Sequence, residues 1–458
     1  MKSSASSLVA LCVLLLPGSS LAQTVPPAVT TAPLNILVPN YNSVAVGELG
    51  SLEANAFLAR ANDASSAFFN PAGLTLATQT SVSGSAGVYQ FASITPESIP
   101  GKGGSLQQIP SLVGLVVPRF LGKERWAAGF SLSRVNAWAQ SADLQKEMTA
   151  TGSRERVAYS SSSFLSGIQA NLGVGYSNAK KLRVGGSLDL QITDSERSQS
   201  VGSQYVTGTG LSALLVESRG KAGLWHLRMT AAAQYDITPT LRVGMLLRTP
   251  GVKVKKSGSY TYEGLIKSGA STTTASFFDT TVDVDYRIPL EFKAGVAWTG
   301  PRAQVEVDVL THAAGGRYSA YSTDQTWILV TDAGLGGQPV EQRSAFTTPV
   351  VDARAVTNIA IGGQVQLKEG GSWRVHGGYA TDRSPVGTDD TLFTRVNMQV
   401  VTAGISGQAK FVLASVGVRY QAGTTDQIVL RQLQNGQQFG TRLKISNLGL
   451  VYSLAVRF

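Results

Sequence analysis

The chain has 458 residues, one cysteine, 49 glycines, 15% charged residues and a net charge of +10. So little charge, against about 25% in ordinary domains, argues against a soluble globular protein. The basic residues are scattered singly, which excludes a nucleic-acid patch as the source of the positive balance, and the lone Cys12 excludes thiolate metal sites.

In chain order, residues 1–22 read as a cleaved secretory signal peptide. Lys2 precedes an apolar run from Leu8 to Leu16, Pro17 and Gly18 break it, and Ser20-Leu21-Ala22 is a small-x-small cleavage site. Residues 23–42 read as a flexible lead-in. Residues 43–78 do not alternate. Leu52 to Asn62 predicts a short helix, Pro71 biases Asn70 away from helical geometry, and Gly73 frees the next turn. A segment this small is a plug or a periplasmic tail and not a domain.

From residue 79 to 458 the pattern has period two, which separates two faces cleanly on a strand and scatters them on a helix. The third predicted strand, Trp126 to Val135, carries Gly129, a candidate kink. Leu182 to Ile192, Trp225 to Tyr235 and Ala303 to Val309 alternate apolar with polar, and Val282 to Trp298 does so over the longest run. A strand that long predicts a tilted crossing of a bilayer. Tight turns are predicted at Ser177 to Lys180, Ile237 to Thr240, Gly300-Pro301, Lys368 to Ser372 and near Gly407. Long loops are predicted at 195–223, 259–281, 313–354, 383–398 and 422–442. The first of these carries an apolar patch, Leu211, Leu214, Leu215 and Val216, which either captures an apolar ligand or packs the loop on itself. The last strand alternates from Leu448 to Phe458. Its aromatic end is like the signal by which membrane barrels are recognised by the assembly machinery. The reading is all-β: a transmembrane antiparallel barrel of about fourteen strands, in the bacterial outer membrane, with lipid and lipopolysaccharide as surroundings.

Three stretches resemble the FadL/TodX family of outer-membrane transporters. They are Ala59 to Leu74, containing Asn70-Pro71-Ala72; Tyr235 to Gly244 through Arg248-Thr249-Pro250; and Gly377 to Val386. Departures are a longer lead-in and a start to the plug that is only loosely glycine-rich. The resemblance implies that residues 43–78 form a hatch inside the lumen and that no cofactor or metal is used. It implies passive, hatch-gated uptake of a hydrophobic molecule, a long-chain fatty acid first and an aromatic hydrocarbon second, with lateral exit through a kinked strand. Phe68, Phe69, Asn70, Pro71, Ala72 and Gly73 would gate or line the pocket. Lumen charges such as Arg228, Arg242, Arg248, Asp283, Arg287 and Glu306 are expected to pair, one arginine being free to hold a carboxylate. The alternatives are a barrel that assists secretion or is structural, and a general diffusion porin. An enzyme would need a nucleophile beside His226, His312 or His376, and no elbow motif accompanies any of them.

Overall fold

The computed structural model describes residues 38–97, 101–150, 153–178, 181–207, 210–332, 334, 337–387, 395–425, 428–431 and 438–458. The predicted signal peptide and the lead-in up to residue 37 lie outside them. Fourteen antiparallel strands form the wall. They are β1 (Ser81–Pro96), β2 (Gly101–Pro118), β3 (Trp126–Ala150), β4 (Ser153–Ser177), β5 (Leu182–Thr207), β6 (Gly210–Asp236) and β7 (Leu241–Arg248). The chain continues through β8 (Glu291–Thr299), β9 (Ala303–His312), β10 (Val356–Gln366), β11 (Trp373–Asp382), β12 (Val396–Ala409), β13 (Val412–Thr425) and β14 (Leu443–Arg457). Each pairs with its neighbour, and β14 pairs with β1 from Ser81↔Arg457 to Pro96↔Leu443. That closure leaves no free edge in the wall, which lipid requires, because an unpaired backbone group there has no water to bind.

The two faces of the wall are chemically opposite. Leu172, Leu188, Met229, Met245, Val416 and Leu454 are exposed on the outside, while Asn171, Asp189, Gln234, Glu306, Thr402 and Ser415 are buried inside. Trp126, Tyr235, Trp298, Trp373 and Phe458 are exposed near the short-turn end, where an aromatic girdle anchors a barrel at the interface. No helix among the described residues is long and apolar enough to cross a membrane; the crossing is by strands. The architecture is that of an outer-membrane β-barrel.

Several boundaries differ from the sequence reading. The turn expected near Gly407 falls at Lys410, whose φ is +50°; Gly407 stays paired with Trp373. The stretches 195–223 and 259–281 are not open loops. β5 and β6 continue upward as a hairpin, and Val252–Ser268 and Ser271–Asp279 extend the sheet beside β6. The long run from Val282 to Trp298 is not one strand. Its wall part begins at Glu291, and Asp283–Val284 instead pairs with Tyr321–Ser322. Pro289 offers no donor to a ladder, so the chain leaves the wall there. Val282, Val284, Tyr286 and Ile288 turn inward and are buried, whereas Leu290, Phe292, Val296 and Trp298 face out.

Above the wall the extended strands enclose an aromatic core. Tyr260, Tyr262, Phe277, Tyr321, Trp327 and Phe346 pack ring against ring, with Trp327 and Phe346 stacked at 5.8 Å. Val38 is buried in the same cluster, so the chain descends from that end into the lumen.

Candidate functional site

Residues 44–76 fill the barrel with very little regular structure. The predicted helix from Leu52 to Asn62 does not form. A single 3-10 turn, Gly50–Leu52, is followed by Ala54 and Asn55 at φ +54° and +63°, a geometry that ends a helix. The α-helix is later and short, Ser66–Phe69.

Backbone groups freed in this way must find partners, and the wall supplies them. Glu306 Oε1 accepts from Ala59 N at 2.5 Å, Asp308 Oδ2 accepts from Leu58 N at 3.3 Å, and Thr402 Oγ1 donates to Leu52 O at 2.8 Å. Gln234 donates to Leu58 O and Ala61 O, and Arg248 Nη2 donates to Phe68 O at 2.9 Å. Arg60, buried, is paired with Glu53 and with Glu306, the latter at 2.9 Å. Leaving one partner of such a buried set alone costs about 3–5 kcal/mol.

Asn70, Pro71, Ala72 and Gly73 form the joint of this segment. Asn70 Oδ1 accepts from Ala72 N at 3.1 Å, while its Nδ2 donates to Leu58 O at 3.0 Å and to Ala233 O on β6 at 3.3 Å. Pro71 opens the 3-10 turn Pro71–Leu76, where a missing N–H is harmless. Backbone lies directly on backbone here. A Cβ on Gly73 would stand 2.0 Å from Ala61 O, and one on Gly185 of β5 would stand 2.4 Å from Ala72 N. Only glycine fits either place.

Beside this joint is a pocket between the plug and the wall. Val44, Val46, Leu58, Phe68, Phe69, Val135, Ile288 and Leu310 supply its apolar surface. Arg228, Arg248, Lys293 and Glu291 form a charged side, and Tyr41 stacks on His312 at 3.9 Å. Glu291 holds Arg248 at 2.9 Å, Lys293 at 2.7 Å and Arg228 at a looser 3.5 Å. The other singled-out charges also pair: Arg242 with Asp236, Asp283 with Lys256, Arg287 with Asp285.

The β2–β3 ladder beside the pocket is interrupted. β2 and β3 pair from Gly101↔Leu144 to Gly104↔Ser141 and again from Leu112↔Ser133 to Pro118↔Ala127. Between these ladders, among the described residues, no ladder pairing joins 105–111 to 134–138. Two local causes are visible. Pro110 lacks an N–H and sits beside a register shift of β2 against β1. β3 bulges between Arg134 and Asn136. Val135 and Asn136 line the pocket, so the bulge of β3 and the pocket adjoin.

Gly129, the predicted kink, is regular: it pairs with Val116 on one side and Gly173 on the other. The break lies further along β3. Pro110 was the missed signal, a proline within a strand-like run. Of the apolar patch, Val216 is buried in the aromatic core and Leu214 packs against it, while Leu211 and Leu215 are exposed on the other face. The patch is therefore split by the strand, not gathered as a loop surface.

One arrangement imitates a hydrolase relay. His376 Nε2 meets Ser406 Oγ at 2.7 Å and its Nδ1 meets Glu53 Oε1 at 2.8 Å. All three residues are buried, Ser406 and Glu53 completely, so no substrate carbonyl reaches the hydroxyl. The trio ties the plug to β11 and β12.

No protein-family model and no curated protein matches the chain. Solved structures do. The toluene transporter TodX of Pseudomonas putida superposes with a TM-score of 0.57 at 14% identity, over 90% of this chain and 99% of that one. A FadL homologue of Pseudomonas aeruginosa gives 0.56 at 14% identity, over 93% and 99%. The toluene transporter TbuX of Ralstonia pickettii gives 0.53 at 13%, over 91% and 99%. The chain has the FadL-type fold. Within it, the filled lumen, the pocket beside Asn70-Pro71-Ala72 and the interrupted β2–β3 ladder are features of this molecule's own residues.

Proposed function

We propose that the chain is a passive outer-membrane channel for hydrophobic molecules, with residues 43–78 as its hatch. The observation that carries this reading is the contact between the pocket and the interrupted stretch of the β2–β3 ladder. A molecule held against Phe68 and Phe69 lies beside Val135 and Asn136 and leaves sideways into lipid without crossing water. The similar solved structures include toluene transporters, which supports a hydrophobic cargo. A long-chain fatty acid is the cargo that best uses the charged side. Its carboxylate would compete with Glu291 for Arg228, the most loosely held of the three cations. An aromatic hydrocarbon would use the apolar part alone. A general porin needs an open lumen, and here Leu52, Phe57, Leu58 and Leu74 are fully buried within it.

Uptake into proteoliposomes tests the reading, with labelled fatty acid, labelled toluene and a small labelled sugar compared. Uptake of either apolar solute without the sugar supports it, as does loss of that uptake in Asn70→Ala/Pro71→Ala. Sugar entering equally fast means a porin. Entry of none means a structural or secretion-assisting barrel.

A further inference from the structure

The basic residues lie singly along the sequence, but the fold gathers many of them at one end. Arg119, Lys123 and Arg125 stand between β2 and β3, and Lys181 and Arg183 lie where β5 begins. Arg242 is at the start of β7, and Arg302 is between β8 and β9. Lys368 lies between β10 and β11, Lys410 between β12 and β13, and Arg457 closes β14. Each short connection thus brings a cation to the rim, in it or beside it, and the cations run round the whole circumference. Among the described residues the acidic side chains at this rim are only Glu124, Asp236 and Glu369. Asp236 is shared by Arg183 and Arg242. Most of the chain's net charge of +10 therefore sits on this ring.

The opposite end of the barrel is different. There Lys253 pairs with Asp285, Lys256 with Asp283 and Arg219 with Glu196, so these cations are cancelled in place. The excess at the short-turn end, which is the periplasmic end of such barrels, is not a property of the surface in general.

The ring is interleaved with large apolar side chains. Trp126 follows Arg125, Trp373 precedes Arg374, Phe411 follows Lys410 and Phe458 follows Arg457, and all four aromatics are exposed. In the turn between β2 and β3, Arg119 and Leu121 both have a φ of +54°, a left-handed conformation that L residues adopt at a cost. Leu121 is left 78% exposed. A cation beside an aromatic or aliphatic group meets a lipid headgroup and the start of its chains together. The spread of charge also distinguishes the occupants. Lipid surrounds a barrel on every side, whereas a soluble acidic protein covers one arc or the end face.

We propose that this rim binds the headgroups of anionic phospholipids in the inner leaflet and holds them as the lipid shell of the short-turn end. The attraction is electrostatic and falls with salt. It does not depend on what the pocket carries.

Fluorescence quenching by brominated lipid tests the proposal. The full-length barrel is reconstituted in vesicles of phosphatidylcholine and phosphatidylglycerol, with one or the other lipid brominated, and tryptophan quenching reports which lipid touches the wall. Trp126, Trp298 and Trp373 are exposed at this end. Wild type should associate with phosphatidylglycerol about threefold more strongly than with phosphatidylcholine at low salt, and equally with both at high salt. The salt series needs no substitution. Lys123→Gln/Arg125→Gln/Lys368→Gln/Lys410→Gln should lose the preference, while Lys255→Gln/Lys267→Gln at the opposite end should keep it, heat-modifiable mobility showing that each barrel is folded. Equal association of wild type with both lipids at low salt overturns the proposal and turns the ring towards a soluble acidic partner. A preference that survives in the rim variant, or that ignores salt, overturns it as well.

Discussion

The two edges of β3 are built from one strand and behave differently. Towards β4 it is paired from Trp126↔Tyr176 to Ala150↔Ser153, with a single shift at the bulge. Towards β2 the ladder stops and resumes. The composition of the two edges does not explain this, because Ser, Ala, Leu and Gln occur along both. A proline on one partner does, together with what lies behind it. Leu112, Val135 and Ala137 pack against Phe57, Phe68 and Phe69 of the segment inside the barrel, so side-chain packing covers the interrupted ladder from inside. The lesson is that a gap in a membrane wall is tolerable only where something else covers it.

Several substitutions break or sharpen that comparison. Removing the hatch's own anchor has the largest expected effect. Arg60→Ala leaves Glu53 and Glu306 facing each other without their shared cation, at a cost of about 3–5 kcal/mol. Denaturant unfolding and a rise in open-channel conductance should both register it. Copying the proline to the closed edge comes next. Leu172→Pro, on β4 between Phe130 and Leu188, removes a ladder donor, should cost about 1–3 kcal/mol through the partner left unsatisfied, and should reduce the yield of heat-modifiable barrel. If instead it assembles normally, proline alone does not make an opening.

The reverse experiment, Pro110→Val, restores a donor to β2. It should lower uptake of apolar solutes by about tenfold while leaving stability unchanged or slightly raised, a 1.4 kcal/mol effect on the path. Unchanged uptake would place the exit elsewhere in the wall. The smallest effect should come from Arg228→Ala, which removes the longest of the three arginine and lysine ion pairs to Glu291. Fatty-acid uptake should fall by about fivefold and toluene uptake hardly at all, a difference of about 1 kcal/mol. Equal loss of both would mean that the arginine only shapes the pocket.

Much of the architecture was legible along the chain. Sparse charge, period-two alternation and the order of short and long connections predicted a membrane barrel of about fourteen strands, because a pleated strand reports its two faces residue by residue. Asn70-Pro71-Ala72 marked the joint of the plug, since a proline after an asparagine restricts the backbone locally. Other features were not local. The alternation of Val282 to Trp298 runs unbroken through Pro289, yet its apolar face points to the lumen before the proline and to lipid after it. Period two tells which residues share a face, never which solvent the face meets. The predicted helix from Leu52 to Asn62 failed because Glu306, Asp308 and Thr402, hundreds of residues later, bind the backbone that a helix would have satisfied itself. The interruption of the β2–β3 ladder and the Ser406–His376–Glu53 tie likewise depend on which strands and loops closure brings together. The chain by itself determined a barrel preceded by a short non-alternating segment; only the closed tertiary structure decided where that segment is held and where the β2–β3 ladder is interrupted, because those contacts join residues far apart in sequence.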